Sequence, residues 1–148
     1  MNSKYHNQTS RDGVKMILPA LLTEAPTALK GRTYVQKLTF LLQQEADTSG
    51  FVFEPYDYGP FSRELYDTLD NLIENGYVIE RETKDEDGLI HYTYETGPKT
   101  KEELNPDDYN DLKEAAQTVF DEYPTDDLQE LIHRIYPEHP QMARNSIY

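Results

Sequence analysis

Few side chains in this sequence are spaced for chemistry. The four histidines are His6, His91, His133 and His139. Glu130 and His133 stand at i, i+3 on one helical stretch, and His139 follows a proline. A zinc site needs three or four ligands converging on one ion, so these histidines read as surface or packing residues. Asp85-Glu86-Asp87-Gly88 has the composition of a calcium loop. With Gly88 at the sixth loop position, Thr83 falls at the first and Tyr94 at the twelfth, where carboxylates are required; the run reads as a hairpin tip instead. There is no cysteine, which excludes a thiol nucleophile, a disulfide framework, an iron–sulfur cluster and a thiolate-held zinc. No GxSxG, Walker or GxGxxG pattern occurs. The sequence therefore assigns no catalytic residue, no metal ligand and no cofactor, and the expected protein is not an enzyme.

Residues suited to binding are easier to find. Tyr56, Tyr58, Phe61 and Tyr66 cluster within a short stretch that also holds Arg63. Tyrosine gives a large contact area for little side-chain entropy, so Tyr56, Tyr58 and Arg63 are candidates for a partner-binding face, whereas Phe61 is expected to pack inward. Lys30, Arg32 and Lys37 form a candidate basic patch for a polyanion or an acidic partner. Arg63, Lys15 and Arg11 could extend it. Charge is unevenly spread: the formal net charge is −14, yet residues 1–44 sum to +4 and the rest to −18.

The elements that must position these residues follow from spacing. Val14, Ile17, Leu18, Leu21 and Leu22 mark one helix face, with Pro19 expected to kink or split the helix. A second helix is expected from about Gly31 to Ala46, with Val35, Leu38, Leu41 and Leu42 inward and Arg32, Gln36, Lys37 and Gln43 largely on the other side. A short strand is expected over Phe51–Tyr56. A third helix opens at Gly59-Pro60 with proline at its first position; it buries Phe61, Leu65, Leu69, Leu72 and Ile73 and ends at Asn75-Gly76. A hairpin turning at Asp87-Gly88 carries Ile90, Tyr92 and Tyr94 on one face. Two further helices are expected, one capped by Asn105 with Pro106 at its first position, the other capped by Thr125 and stopped by Pro137 and Pro140. The expected fold class is mostly α with a small β-hairpin (α+β). A single domain is divided into a flexible segment 1–9, a winged-helix-like core 10–100 and a C-terminal helical extension 101–148 packed on it.

Two segments carry a resemblance to known proteins: Gly31-Arg32-Thr33-Tyr34-Val35-Gln36-Lys37-Leu38-Thr39-Phe40-Leu41-Leu42-Gln43 and Tyr56-Asp57-Tyr58-Gly59-Pro60-Phe61-Ser62-Arg63-Glu64-Leu65-Tyr66. They resemble the YwgA-type family of small prokaryotic proteins, which is similar in layout to the Panacea domain of SocA-like antitoxins. The tail Ile135-Tyr136-Pro137-Glu138-His139-Pro140, followed by Asn145-Ser146-Ile147-Tyr148, is similar to that family's C-terminal pattern. The resemblance implies a winged-helix-like core and action by holding a toxin or by regulation. It brings no catalytic residue with it.

Charge separates the possible partners. A winged helix reading DNA would place its third helix in the major groove, against a backbone carrying one charge per about 1.7 Å of duplex. Residues 61–75 instead carry Arg63 against Glu64, Asp67, Asp70 and Glu74, and the hairpin tip adds Asp85, Glu86 and Asp87 against Lys84. The expectation is a regulatory or adaptor module that binds a protein partner, antitoxin-like or adaptor-like, with a DNA-binding winged-helix regulator as the alternative. No run of 18 apolar residues suggests a membrane span, and the polar N-terminus does not read as a signal peptide. The acidic coat over an ordinary core suits a halophile's cytoplasm, where salt screens repulsion.

Overall fold

The computed structural model describes residues 11–103, 105 and 109–146. Helix α1 (Arg11–Glu24) is followed by a two-residue strand β1 (Leu29–Lys30), helix α2 (Arg32–Ala46), strands β2 (Glu54–Tyr56) and β3 (Gly59–Phe61), and helix α3 (Arg63–Glu74). Strands β4 (Val78–Lys84) and β5 (Ile90–Thr96) come next, then α4 (Pro98–Glu103), α5 (Asn110–Glu122), α6 (Leu128–Glu138) and a 3₁₀ turn over Pro140–Ala143. The described residues thus form a mixed α/β fold of six α-helices, a three-stranded antiparallel sheet in the order β1-β5-β4, and the separate hairpin β2–β3.

Helix α2 is the axis of the fold. It packs against α1, α3, α5 and α6 and against β1 and β3. The periodicity correctly gives Val35, Leu38, Leu41 and Leu42 as core, but every residue from Tyr34 to Gln43 is buried. The expectation that Gln36, Lys37 and Gln43 lie on an outer side is therefore corrected. Neighbours enclose all faces of α2, and its polar side chains hydrogen-bond to backbone groups instead of water, as burial demands. Two glutamines seven positions apart do this in the same way. Gln36 donates from Nε2 to the Ser62 carbonyl (2.9 Å) and accepts the Ser62 N–H (2.8 Å). Gln43 donates to the Phe51 carbonyl (2.9 Å) and accepts the Phe51 N–H (2.8 Å). Each clasps one loop residue by both of its backbone groups, and together they fix both ends of the segment carrying β2–β3.

Other expectations are adjusted by local chemistry. Helix α1 runs unbroken through Pro19, and the Thr23 hydroxyl donates to the Pro19 carbonyl (2.7 Å). The third helix does not begin at Pro60. Gly59 adopts φ +90°, a conformation only glycine takes freely, so the chain reverses there and pairs Pro60 with Pro55 across the β2–β3 hairpin. Ser62 then caps α3 by accepting the Leu65 N–H (3.2 Å). The strand expected over 51–56 is only Glu54–Tyr56, and β1, which pairs Leu29 with Tyr94, was not expected. Phe61 is half-buried, while Leu65, Leu69 and Leu72 are buried. On the hairpin face read from alternation, Tyr94 is buried but Ile90 and Tyr92 reach solvent.

Helix α4 was also not expected. Asp127, not Thr125, caps α6 through the Glu130 N–H (3.0 Å), and α6 continues through Pro137 to Glu138. The helix start at Asn105-Pro106 and the segment 1–9 lie outside the described residues, apart from Asn105 itself, which is not helical. No described helix is long and apolar enough to cross a membrane.

Candidate functional site

The first turns of α2 carry two cations that the fold treats differently. Gly31 donates its N–H to the Tyr92 carbonyl (2.9 Å), which ties the start of α2 to the sheet. Arg32 follows. Its Nε donates to the Tyr94 hydroxyl (3.0 Å), and its Nη2 donates to Asp70 (2.7 Å) and Glu80 (3.1 Å). The Tyr94 hydroxyl in turn donates to Glu80 (2.6 Å). The guanidinium carbon lies 4.8 Å from the centre of the Tyr66 ring, within cation–π range. Burial alone would lower the Arg32 pKa, but the bonds to Asp70, Tyr94 and Glu80 outweigh it and hold the group above its ordinary value. Burial, reinforced by Glu80, raises the Tyr94 phenol. This corner joins α2, α3, β4 and β5 with its charges matched.

Lys37 lies a little over one turn further on. Its side chain is 1% exposed. Its Nζ donates to the Pro60 carbonyl (2.8 Å), and none of the ion pairs found among the described residues includes it. Burial lowers its pKa to about 7. The β2–β3 hairpin holds it down. A Cβ built on Gly59 would sit 3.7 Å from Lys37 Cε and 3.5 Å from the Tyr136 hydroxyl of α6. Among the described residues that buried hydroxyl has no hydrogen-bond partner, and neither does Arg32 Nη1. Asn145 braces the hairpin from the C-terminal side by donating to the Pro55 carbonyl (3.1 Å).

Above Lys37 is a cavity of about 220 Å³. Arg32, Thr33, Gln36 and Lys37 of α2 line its floor side, and Tyr56, Asp57, Tyr58, Phe61 and Tyr66 line the rest. The Tyr56 and Phe61 rings stack with centres 5.1 Å apart. Tyr56, Tyr58 and Tyr66 are 52%, 39% and 40% exposed, so the rim of the cavity is aromatic and open to solvent.

Among the residues chosen from sequence, the cavity brings together Tyr56, Tyr58, Arg32 and Lys37. It does not gather Lys30, which is exposed on β1, or Arg63, which is exposed on α3 beside Glu64 and Asp67. The proposed surface patch of Lys30, Arg32 and Lys37 is corrected: Arg32 is consumed by two carboxylates and Lys37 is buried, so Lys30 alone of the three presents its charge to water. Sequence reasoning missed Thr33, Gln36 and Asp57 as cavity residues. A usable signal existed in two adjacent polar residues, Gln36-Lys37, inside a helix flanked by apolar positions on both sides.

The outer face of α3 is acidic: Asp67, Asp70 and Glu74 are exposed, and Arg63 is the exposed base of that helix. Among the described residues no three His, Cys, Asp or Glu side chains converge as a metal site would require. Comparison with models of known protein families gives no match, and comparison with curated proteins gives none either.

Proposed function

We propose that the chain is a non-catalytic regulatory or adaptor module, built on a winged-helix-like core, that docks a protein partner through the rim formed by Tyr56, Tyr58 and Tyr66. The observation that carries this reading is the exposure of these tyrosines around one concavity, beside an α3 surface rich in carboxylates. Aromatic residues lining a pocket are the usual anchors of protein interfaces. The adjoining acids would steer a partner that presents basic groups.

The winged-helix reading is supported by the sheet order. A strand between the first two helices lies beside the second strand of a hairpin that follows the third helix. The likeness to YwgA-type and Panacea-type proteins is supported by the way its pieces meet. Lys37 of the first segment bonds to Pro60 of the second, and Tyr136 and Asn145 of the tail pack on the same hairpin. That likeness favours an antitoxin-like or adaptor-like role. DNA binding by the third helix loses support, because α3 and the hairpin tip are acidic and, of the basic patch Lys30, Arg32 and Lys37, only Lys30 presents its charge to water.

The test is affinity purification of the wild-type chain and of the Tyr58→Asp variant from the native host at native salt. A partner protein retained by the wild type and lost by a folded Tyr58→Asp variant is expected. A sequence-specific DNA footprint that needs α3, with no co-purifying protein, would overturn the reading.

A further inference from the structure

We propose that β4 is a self-complementary edge through which two copies of the chain pair antiparallel about Thr83, joining their sheets into one. This edge is distinct from the tyrosine rim, and the pairing does not depend on the docking role.

The register shows which backbone groups point away from the sheet. Strand β4 has β5 on one side and, among the described residues, no strand on the other. In an antiparallel ladder, directly opposed residues alternate between exchanging both backbone bonds and exchanging none. At one end of the β4–β5 ladder Gly97 donates to the Tyr77 carbonyl (2.9 Å), and at the other Asp85 donates to the Leu89 carbonyl (2.9 Å). The odd-numbered residues of β4 therefore bond to β5, and Glu80, Glu82 and Lys84 turn their N–H and C=O groups outward. Among the described residues no backbone group bonds to these three from that side. Residues 81–84 are all exposed, so a second strand can reach this edge.

A bare edge invites pairing, and proteins commonly guard it with charge. Here the charges favour pairing when the strand meets its own copy. Arg81-Glu82-Thr83-Lys84-Asp85 runs plus, minus, neutral, plus, minus, so its signs invert about Thr83. A two-fold axis through Thr83 sets Glu82 opposite Lys84 of the second copy and Lys84 opposite Glu82 of the second copy. Both residues belong to the outward set, so these opposed pairs also exchange their backbone bonds. An axis through Glu82 or Lys84 would oppose like charges, and one through Arg81 would oppose Glu80 to Glu82. Opposite charges facing each other across strands stabilise the pair and like charges destabilise it, so charge selects the register about Thr83. Arg81 and Asp85 add little, because each is engaged in its own chain, with Glu95 and His91.

The existing sheet supports the new pairs. Tyr92 lies across from Glu82, and Ile90 across from Lys84. Each new pair therefore extends a row from Tyr92 and Glu82 of one copy to Lys84 and Ile90 of the second copy. The lysine stem has exposed apolar neighbours to lie along. The interface is small beside a standard one, and two chains of net charge −14 repel each other. At about 0.15 M salt that repulsion is screened beyond about 8 Å, whereas opposed residues sit about 5 Å apart. The expected dimer is weak and reversible.

Sedimentation equilibrium of the full chain, from micromolar to millimolar concentration at about 0.15 M salt, tests the proposal. A monomer–dimer equilibrium is expected. Glu82→Lys and Lys84→Glu should each weaken the dimer by about tenfold or more, because each sets like charges at both pairs. Glu82→Lys should do so although it brings the net charge nearer zero, which by itself favours association. An equimolar mixture of the two variants should associate about as tightly as the wild type, since lysines of one copy then face glutamates of the other. A chain that stays monomeric, a dimer indifferent to Glu82→Lys, or a mixture no tighter than either variant would overturn the proposal. Should a variant fail to fold, amide exchange in the wild type decides. Slower exchange at Glu82 and Lys84 as concentration rises is expected, and unchanged exchange rejects the pairing. A monomer whose edge amides are protected only by a different protein would give the edge to that protein and would equally overturn the proposal.

Discussion

Arg32 and Lys37 stand five positions apart on one helix, yet the fold solves two different problems around them. At the Arg32 corner, α3 contributes Asp70 and β4 contributes Glu80, so a half-buried guanidinium is matched by carboxylates and by the Tyr94 hydroxyl. At the Lys37 corner, the β2–β3 hairpin contributes only a backbone carbonyl to an ammonium buried almost completely. The first corner is closed and its cation joins elements of the fold. The second covers its lysine without a charged partner among the described residues, and in its cationic form that lysine lowers the stability of the protein.

Substitutions at the two corners should separate these roles, from the largest effect to the smallest. Leu38→Ala, between the corners at a fully buried position, should destabilise by about 2–5 kcal/mol in denaturant unfolding, and both corners should loosen together. Gln36→Ala leaves the buried Ser62 N–H without its partner, while the Ser62 carbonyl keeps the Tyr66 N–H as its donor. A loss on the order of 1–3 kcal/mol is expected, with faster amide exchange confined to the β2–β3 side.

Arg32→Met removes the cation facing Asp70 and Glu80, although Glu80 keeps the Tyr94 hydroxyl as a donor. The expected loss is about 1–3 kcal/mol, kept small by the exposure of Asp70. Lys37→Met should reverse the sign, leaving stability unchanged or raising it by about 1–2 kcal/mol, because an apolar chain replaces an unmatched buried cation. If both methionine substitutions destabilise equally, the contrast between the corners fails.

The same contrast has a pH signature. Lys37 titrates near 7 in the fold and near its ordinary value of about 10.4 when unfolded. Between those values the unfolded chain binds the additional proton, so this group's contribution to stability becomes more favourable as pH rises from about 7. Below about 7 the penalty is present in full. The advantage of Lys37→Met over the wild type should therefore shrink between pH 7 and about 9.5 and stay constant below 6. Paired thermal melts across that range check it.

Much of this arrangement was legible in the residues. Apolar spacing gave α2, α3 and the buried faces of Leu38 and Leu69, because a helix that packs on a core must repeat its apolar residues. The tyrosines were legible as a cluster, and three of them do rim one cavity. The inward turn of Lys37 was not legible. Amphipathic reasoning assumes that a helix has a solvated side, whereas α2 is enclosed on every side, and its polar residues are satisfied by distant loop backbones at Ser62, Phe51 and Pro60. The hairpin was hidden for a related reason: Gly59-Pro60 suits a helix start as well as a reversal, and pairing with Pro55 decides between them. The mispositioned cap of α6 follows from Thr125 and Asp127, two neighbouring side chains suited to the same orphan N–H groups.

Titration of the Lys37 side chain in the folded, ligand-free protein tests the central claim most directly. The measurement is the ¹³Cε shift of Lys37 against pH by NMR, with the resonance assigned by its loss in Lys37→Met. A midpoint near 7 is expected. A midpoint in the ordinary range of about 10.4 would mean that Lys37 is solvated or already paired, and the distinction between the two corners would be wrong.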